Sequence, residues 1–264
     1  MTPGKKTMKF KKGIYKDIPY EEYAEIPAFR SHDLTSVIRC AYTWKNQAPL
    51  KESPALIEGR VQHTVFLEFD KFDDEFVIEP NVDRRTKVGK AEYADFKSGI
   101  GDRTPIKQDM FDVCMDRREV VKQFVPKVTD DVELTICFEW FGHPFKARLD
   151  WHDGTSAWDL KTARDASPRG FIRAINSFNY HMQAALYLDA CAASGLGADR
   201  FMFLAQEKAH PYPYAIYALS AEAAAYGRAK NEQALKTLLS CKENDDYRPY
   251  NISGVQVVEL GDLY

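Results

Sequence analysis

Residues 133–163 limit the fold more than any other part of the chain. Three stretches, ELTICFEW (133–140), PFKARLDW (144–151) and SAWDLKTA (156–163), carry β-branched and aromatic residues in alternation. Only FGHP and HDGT separate them. A period of two marks strands, and connections this short can join only antiparallel neighbours. A meander at the middle of a sheet follows. Alternation then sorts the side chains. Phe145, Ala147, Leu149 and Trp151 face one way, and Lys146, Arg148 and Asp150 the other. Trp158, Leu160 and Thr162 oppose Asp159 and Lys161. If the apolar faces share one core, Asp150, Asp159 and Lys161 converge, with the Asp159 and Lys161 Cα atoms about 6–7 Å apart.

The flanking segments complete a domain. SPALIEGRVQHTVFLEF (53–69) opens with Ser53 as a cap and Pro54 in the first turn, and Ile57, Val61, Val65, Phe66 and Phe69 form an apolar stripe. A short strand is expected at 73–80, a polar loop with a short helix at 81–105, and helices at 107–125, 179–195 and 221–243. Two more strands are expected at 200–208 and 213–220. This order predicts one α/β domain with a mixed central β-sheet flanked by helices. The 264 residues are 45% apolar, enough for a sizeable core. Residues 1–29 read as a flexible leader and 30–264 as the domain. The basic start, MTPGKKTMKFKKG, lacks the apolar run of a secretory signal and suggests a fragment of a longer chain. No apolar run is long enough for a membrane helix. Five scattered cysteines without a C-x-x-C pair point away from a disulfide framework or zinc ribbon and toward the cytoplasm. A formal net charge of −3 argues against a nucleic-acid coat protein but leaves room for a local basic strip.

Two carboxylates and an ammonium on a half-buried sheet are costly unless something sits between them. A divalent metal, Mg²⁺ or Mn²⁺, suits that role. By itself a D-x-K strand is most often a cross-strand salt bridge, so its surroundings matter. His63, one turn beyond Gly59, can project from its helix toward the sheet. Gln183 and Tyr187 lie four residues apart on one helix face. Glu139 is a candidate outer-shell or second-metal carboxylate. For gripping DNA the cations are Arg148, Arg164, Arg169 and Arg173, with Arg84, Arg85, Lys87 and Lys90 in the polar loop equally well explained as solvated surface. The six histidines form no H-x-x-x-H or H-x-x-E-H pattern, which disfavours a zinc hydrolase. His152 and Asp153 are expected to be solvent-facing turn residues.

In chain order these residues form a string: G-x-x-x-H (59–63), R-x-D (148–150), D-x-K-T (159–162) and Q-x-x-x-Y (183–187). The string resembles the RecB-like branch of the PD-(D/E)XK nuclease superfamily and, more narrowly, the RecE-type (exonuclease VIII) nuclease domains. SHDLTSVIRCAYTWK (31–45) is similar to the leading helix of that family, and the likeness runs from residue 30 to about 220. The four-cysteine cluster of some RecB-like relatives is missing. The resemblance implies a single restriction-endonuclease-like domain in which His63, Asp150, Asp159 and the Leu160 carbonyl bind the metal. Lys161 would position the attacking water, and Gln183 and Tyr187 would buttress the site. It further implies Mg²⁺-dependent 5′→3′ digestion of linear double-stranded DNA, with Mn²⁺ as a substitute. The 3′ tails would serve recombination with a single-strand annealing protein, and the enzyme would be a ring-shaped homotetramer. An endonuclease or repair nuclease on the same fold is the alternative. A non-catalytic binding module is disfavoured by the intact string.

Overall fold

The three-strand meander forms as its alternation predicts in a computed structural model that describes residues 9–48, 52–127 and 130–250. Strands β4 (Asp131–Trp140), β5 (His143–His152) and β6 (Ser156–Ala163) follow one another; their numbers allow for β1 (Gly13–Tyr15), β2 (Phe76–Ile78) and β3 (Thr104–Ile106) earlier in the chain. Phe141 and Gly142 both take positive φ, 47° and 75°, the backbone hand that suits a two-residue hairpin in a right-twisted sheet. β7 (Arg200–Glu207) lies parallel to β6, and β8 (Tyr214–Ala218) is antiparallel to β7. The sheet order is β1-β4-β5-β6-β7-β8. It is mixed, as expected, and mostly antiparallel.

Helices cover both faces. The helices, in chain order, are α1 (Tyr20–Glu25), α2 (Ser31–Arg39), α3 (Ala41–Asn46), α4 (Pro54–Leu67), α5 (Phe72–Glu75), α6 (Lys87–Gly99), α7 (Gln108–Val120), α8 (Pro168–Phe178), α9 (Tyr180–Ser194) and α10 (Ala221–Asn244). On one face Leu34 of α2, Phe171 of α8, Met182 and Leu186 of α9 and Leu235 of α10 bury against Leu134, Ile136, Phe138, Leu149 and Phe203 of the sheet. On the other, Phe66 and Leu67 of α4 pack with Val121, Trp151, Leu160 and Leu204. Ser53 caps α4 by accepting from the Leu56 amide, and Pro54 fills its first turn, as read from the sequence. A side layer holds the parallel β2–β3 pair, with Phe72, Phe76 and Ile106 packed on Val61, Val65 and Cys114.

Four local expectations are corrected. The segment 73–80 is a helical turn followed by a three-residue strand, and the polar loop at 81–105 contains the 13-residue α6 and β3. The leading helix is two helices, broken where Cys40 is extended (φ −169°). Of the expected leader, residues 1–8 lie outside the described residues, but 9–29 are integral to the domain. β1 pairs with β4, and Tyr23 and Ile26 bury against Cys137. Lys146, on the polar face of β5, pins this segment: its ammonium donates to the carbonyls of Tyr23, Ala24 and Ile26 at 2.8–2.9 Å. Burial lowers its pKa to about 8. The basic opening of the chain masked the segment's own apolar residues, of which Phe10, Tyr15, Ile18, Tyr23 and Ile26 pack around Cys137; a buried lysine on the sheet adds the anchor.

α9 and α10 pack closely at one point. A Cβ on Gly227 would lie 2.2 Å from the His181 carbonyl oxygen, and one turn later Asn231 donates to the Met182 carbonyl at 2.8 Å. Gly227→Ala is expected to destabilise the chain by about 2–3 kcal/mol, a fall in Tm of roughly 5–10 °C by thermal melting.

Candidate active site

The site begins where two strands part. β5 and β6 share only two rungs, Trp151–Trp158 and His152–Ala157. The two tryptophan rings stack at 5.1 Å beside the last rung. Beyond it the strands diverge, and the next residue on each is an aspartate. Asp150 Oδ2 accepts the Leu160 amide at 2.6 Å, so a side chain replaces the lost rung. Asp159, buried, pairs with Lys161 Nζ at 2.6 Å and accepts from Gln183 Nε2 at 2.8 Å. Lys161 in turn donates to Gln183 Oε1 at 3.1 Å. Three side chains from β6 and α9 thus close a ring of polar contacts. Lys161 Nζ also lies 4.6 Å from the centre of the Tyr180 ring, and the buried Tyr187 sits one turn beyond Gln183.

The other half comes from α4 and β4. His63 projects to the sheet as expected: Nε2 is 3.8 Å from Asp150 Oδ2, and Nδ1 is 3.8 Å from Glu133 Oε1. Its side chain is 36% exposed, which leaves the site open on this side. Glu133 takes φ +46°. Its neighbours keep their rungs, Val132 with Trp151 and Leu134 with Leu149, while Glu133 faces Asp150 without one. A non-glycine residue held there costs about 1–3 kcal/mol and persists only where the surroundings enforce it. Arg148 does so, with Nε on Glu133 Oε2 and Nη1 on the Ile18 carbonyl at 2.7 Å. One ligand atom from each of His63, Glu133 and Asp150 lies within 4.8 Å of the other two.

Crowding of acids sets the electrostatics. Burial pushes the Asp150 pKa up to about 7, further raised by Asp159 and Glu133. For His63 burial disfavours the imidazolium, but Asp150, Glu133 and Asp159 outweigh it and carry the pKa up to about 9. Burial also opposes charge on Lys161; Asp159 and Asp150 prevail and raise its pKa, so it is an ammonium at neutral pH. Burial acts to raise the Glu133 pKa, but His63 and Arg148 reverse that and hold it below the usual carboxylate range.

Imidazole and carboxylate oxygens are the donors that Mg²⁺ and Mn²⁺ accept, and the residues fit such an ion. Asp159 Oδ2 is buried and makes no well-directed hydrogen bond, facing only the Lys161 ammonium. The structure therefore brings together His63, Asp150, Asp159, Lys161, Gln183 and Tyr187, and places the Leu160 backbone between the aspartates.

Several expectations are corrected. Arg148, expected as a cation for DNA, is engaged by Glu133 and the Ile18 carbonyl. Glu139 is near the far hairpin tip, opposite Pro144, where it pairs with Lys12 at 2.8 Å. Glu139→Gln is expected to leave activity unchanged in any assay in which Asp159→Asn abolishes it. His152 is buried, its Nε2 2.6 Å from the Gly197 carbonyl. Asp153 is the exposed turn residue, accepting the Thr155 and Ser156 amides and the Trp158 indole N–H. Arg164, Arg169 and Arg173 are exposed as expected. Arg84 and Arg85 engage Tyr93 and Asp83, as solvated surface residues do. Two contributors were missed. Glu133 looked like one of several outward strand acids, since its positive φ leaves no trace in the strand alternation. Tyr180 lies three residues before Gln183 on the same helix, a spacing that could have flagged it.

The family described as "PDDEXK-like domain of unknown function (DUF3799)" matches residues 35–253. Among solved structures, a "putative exonuclease" from Eubacterium rectale is 12% identical. It aligns over 94% of this chain and 98% of its own, with a TM-score of 0.62. At that identity the likeness is one of fold. A second structure, SSO0001, is also 12% identical over 76% of this chain and 91% of its own, but its TM-score of 0.33 carries no weight. No curated protein matches the sequence.

Proposed function

This chain belongs to the family of PDDEXK-like domains of unknown function, and on that premise we propose that it is a divalent-cation-dependent deoxyribonuclease. Its substrate is linear double-stranded DNA, digested 5′→3′ to leave 3′ single-stranded tails. The observation that supports this best is the fork: two aspartates meet where β5 and β6 part, with Lys161 ion-paired to Asp159 at 2.6 Å.

Hydrolysis adds water across a P–O3′ bond. The water oxygen attacks phosphorus, the 3′-oxygen leaves and is protonated, and the products are a 5′-phosphate and a 3′-hydroxyl. His63, Asp150, Asp159 and the Leu160 carbonyl, with Glu133 added, would hold Mg²⁺, or Mn²⁺ in its place, which when bound would supply charge relief at the phosphate and acidify water. The protein's own contribution is positioning. Lys161 presents a charged donor beside Asp159, placed to orient the attacking water or neutralise a phosphate oxygen. Gln183 bonds both partners and fixes their geometry. Tyr180 and Tyr187 wall the site on the α9 side. Arg164, Arg169 and Arg173, exposed beyond the end of β6 and along α8, are available to phosphates. The RecE-type resemblance supports a ring-shaped tetramer that hands its tails to a single-strand annealing protein.

The test is end-labelled linear duplex beside covalently closed circles, both with Mg²⁺. Expected is early release of the 5′ label, retention of the 3′ label and intact circles. Rapid digestion of circles would replace the exonuclease by an endonuclease, and no hydrolysis of either would overturn the assignment.

A further inference from the structure

A pocket of about 690 Å³ opens at the elbow between α8 and α9. Its floor and walls come from four helices: Ile38 and Arg39 of α2, Asn176 to Asn179 and His181 where α8 meets α9, and Tyr226 and Lys230 of α10. The elbow is sharp because Asn179 takes the left-handed conformation (φ 56°), ending α8 and starting α9.

Several observations there belong to none of the roles above. Arg39 is exposed and Lys230 half-buried, and among the described residues neither has a carboxylate partner. Lys230 Nζ lies instead 5.6 Å from the Tyr226 ring. His181 is only 6% exposed, its ring stacked on Tyr226 at 5.3 Å and facing the Ile175 carbonyl. Phe178 is 64% exposed at the pocket rim, an unusual place for a bare aromatic ring at the end of an amphipathic helix. Phe178 also stacks on Tyr180 at 5.5 Å, and Tyr180 covers Lys161. The pocket is thus coupled to the cleavage site through two rings. Arg169 and Arg173 lie on α8, which leads into it.

Cations and an exposed ring match one nucleotide: a phosphodiester for the charges and a base for the ring. We propose that the α8–α9 elbow is a strand-holding subsite that binds a single-stranded nucleotide next to the scissile position. Arg39 and Lys230 take its phosphate, and Phe178 stacks its base. The subsite rests on the nuclease reading and adds to it a grip on unpaired strand. Stacking makes that grip tolerant of sequence.

The experiment uses the full chain carrying Lys161→Ala, so that the probe survives. The probe is a short single-stranded DNA with one 2-aminopurine, titrated by anisotropy and by base fluorescence at several salt concentrations. Phe178→Ala is expected to weaken binding about thirtyfold, taking stacking at its middle value, and to abolish the stacking-induced quench. Arg39→Gln with Lys230→Gln is expected to flatten the dependence of log K on log salt by about 0.7 per charge removed. All these side chains are wholly or partly solvent-exposed, so thermal melting should be unchanged. Binding, quench and salt slope all unchanged would overturn the subsite while wild-type hydrolysis leaves the nuclease reading standing. If the parent does not bind and wild type does not hydrolyse, both fall together.

Discussion

Lys161→Ala is expected to lower DNA hydrolysis by about 10³-fold, with DNA affinity changed little. Loss of a charged donor that acts on the reacting groups costs 10²–10³ or more in comparable sites. Here the ammonium stands at the fork itself, beside Asp159 and Gln183. Arg148 is spent on Glu133, and Lys146 on three backbone carbonyls. Removing Lys161 also leaves Asp159 Oδ2 buried with no cation at all, so the variant should depend more steeply on added Mg²⁺. Lys161→Arg should not rescue. A planar guanidinium cannot occupy a point-charge position between Asp159, Gln183 and the Tyr180 ring. Rates within tenfold of wild type in either variant would remove Lys161 from the chemistry.

How much of this was legible in the sequence follows from the range of each interaction. The meander, the cap of α4 and the closing Gly195 of α9 are set by neighbours a few residues apart, and they stand where the sequence puts them. Asp159, Lys161 and Gln183 were legible because strand alternation and the four-residue helix step fix their directions. The mechanism of convergence was different from the expected one. A shared polar face would have left β5 and β6 paired throughout, whereas the strands split after one stacked tryptophan pair and the aspartates meet in the gap. Alternation carries no information about where a ladder ends. The same blindness hid Glu133, whose role depends on one backbone dihedral, and misjudged Glu139, which has the same chemistry six residues along the strand but sits near the hairpin tip. Arg148 and His152 were misplaced because their partners, Ile18 and Gly197, are distant in sequence.

Asp150→Asn is expected to abolish hydrolysis, by 10³-fold or more, and at the same time to stabilise the cation-free chain at alkaline pH. The first effect follows if Asp150 holds the cation, whose loss forfeits several kcal/mol of transition-state stabilisation at about 1.4 kcal/mol per factor of ten. The second follows from titration. Asp150 rises from an ordinary 3.8 to about 7 on folding, and His63 from 6.5 to about 9. Both folded-state values exceed the unfolded ones, so the native state holds the protons more tightly. Stability is therefore fullest below pH 4 for Asp150 and below 6.5 for His63, and it drains away as pH climbs through 7 and then 9. Asparagine removes the first of these losses and, by deleting the nearest negative charge, weakens the second. Without added cation, then, the variant should melt above wild type at pH 8 and match it more closely at pH 5. A divalent cation must displace the same protons, so Mn²⁺ should raise the wild-type Tm more at pH 8 than at pH 6, its apparent affinity climbing up to tenfold per pH unit for each proton released. The variant should show no such shift. A wild-type Mn²⁺ response that is flat with pH, or an equal response in Asp150→Asn, would place the cation elsewhere. A fork that is destabilising when empty and stabilising when filled is what a site selected for chemistry, and not for stability, should look like.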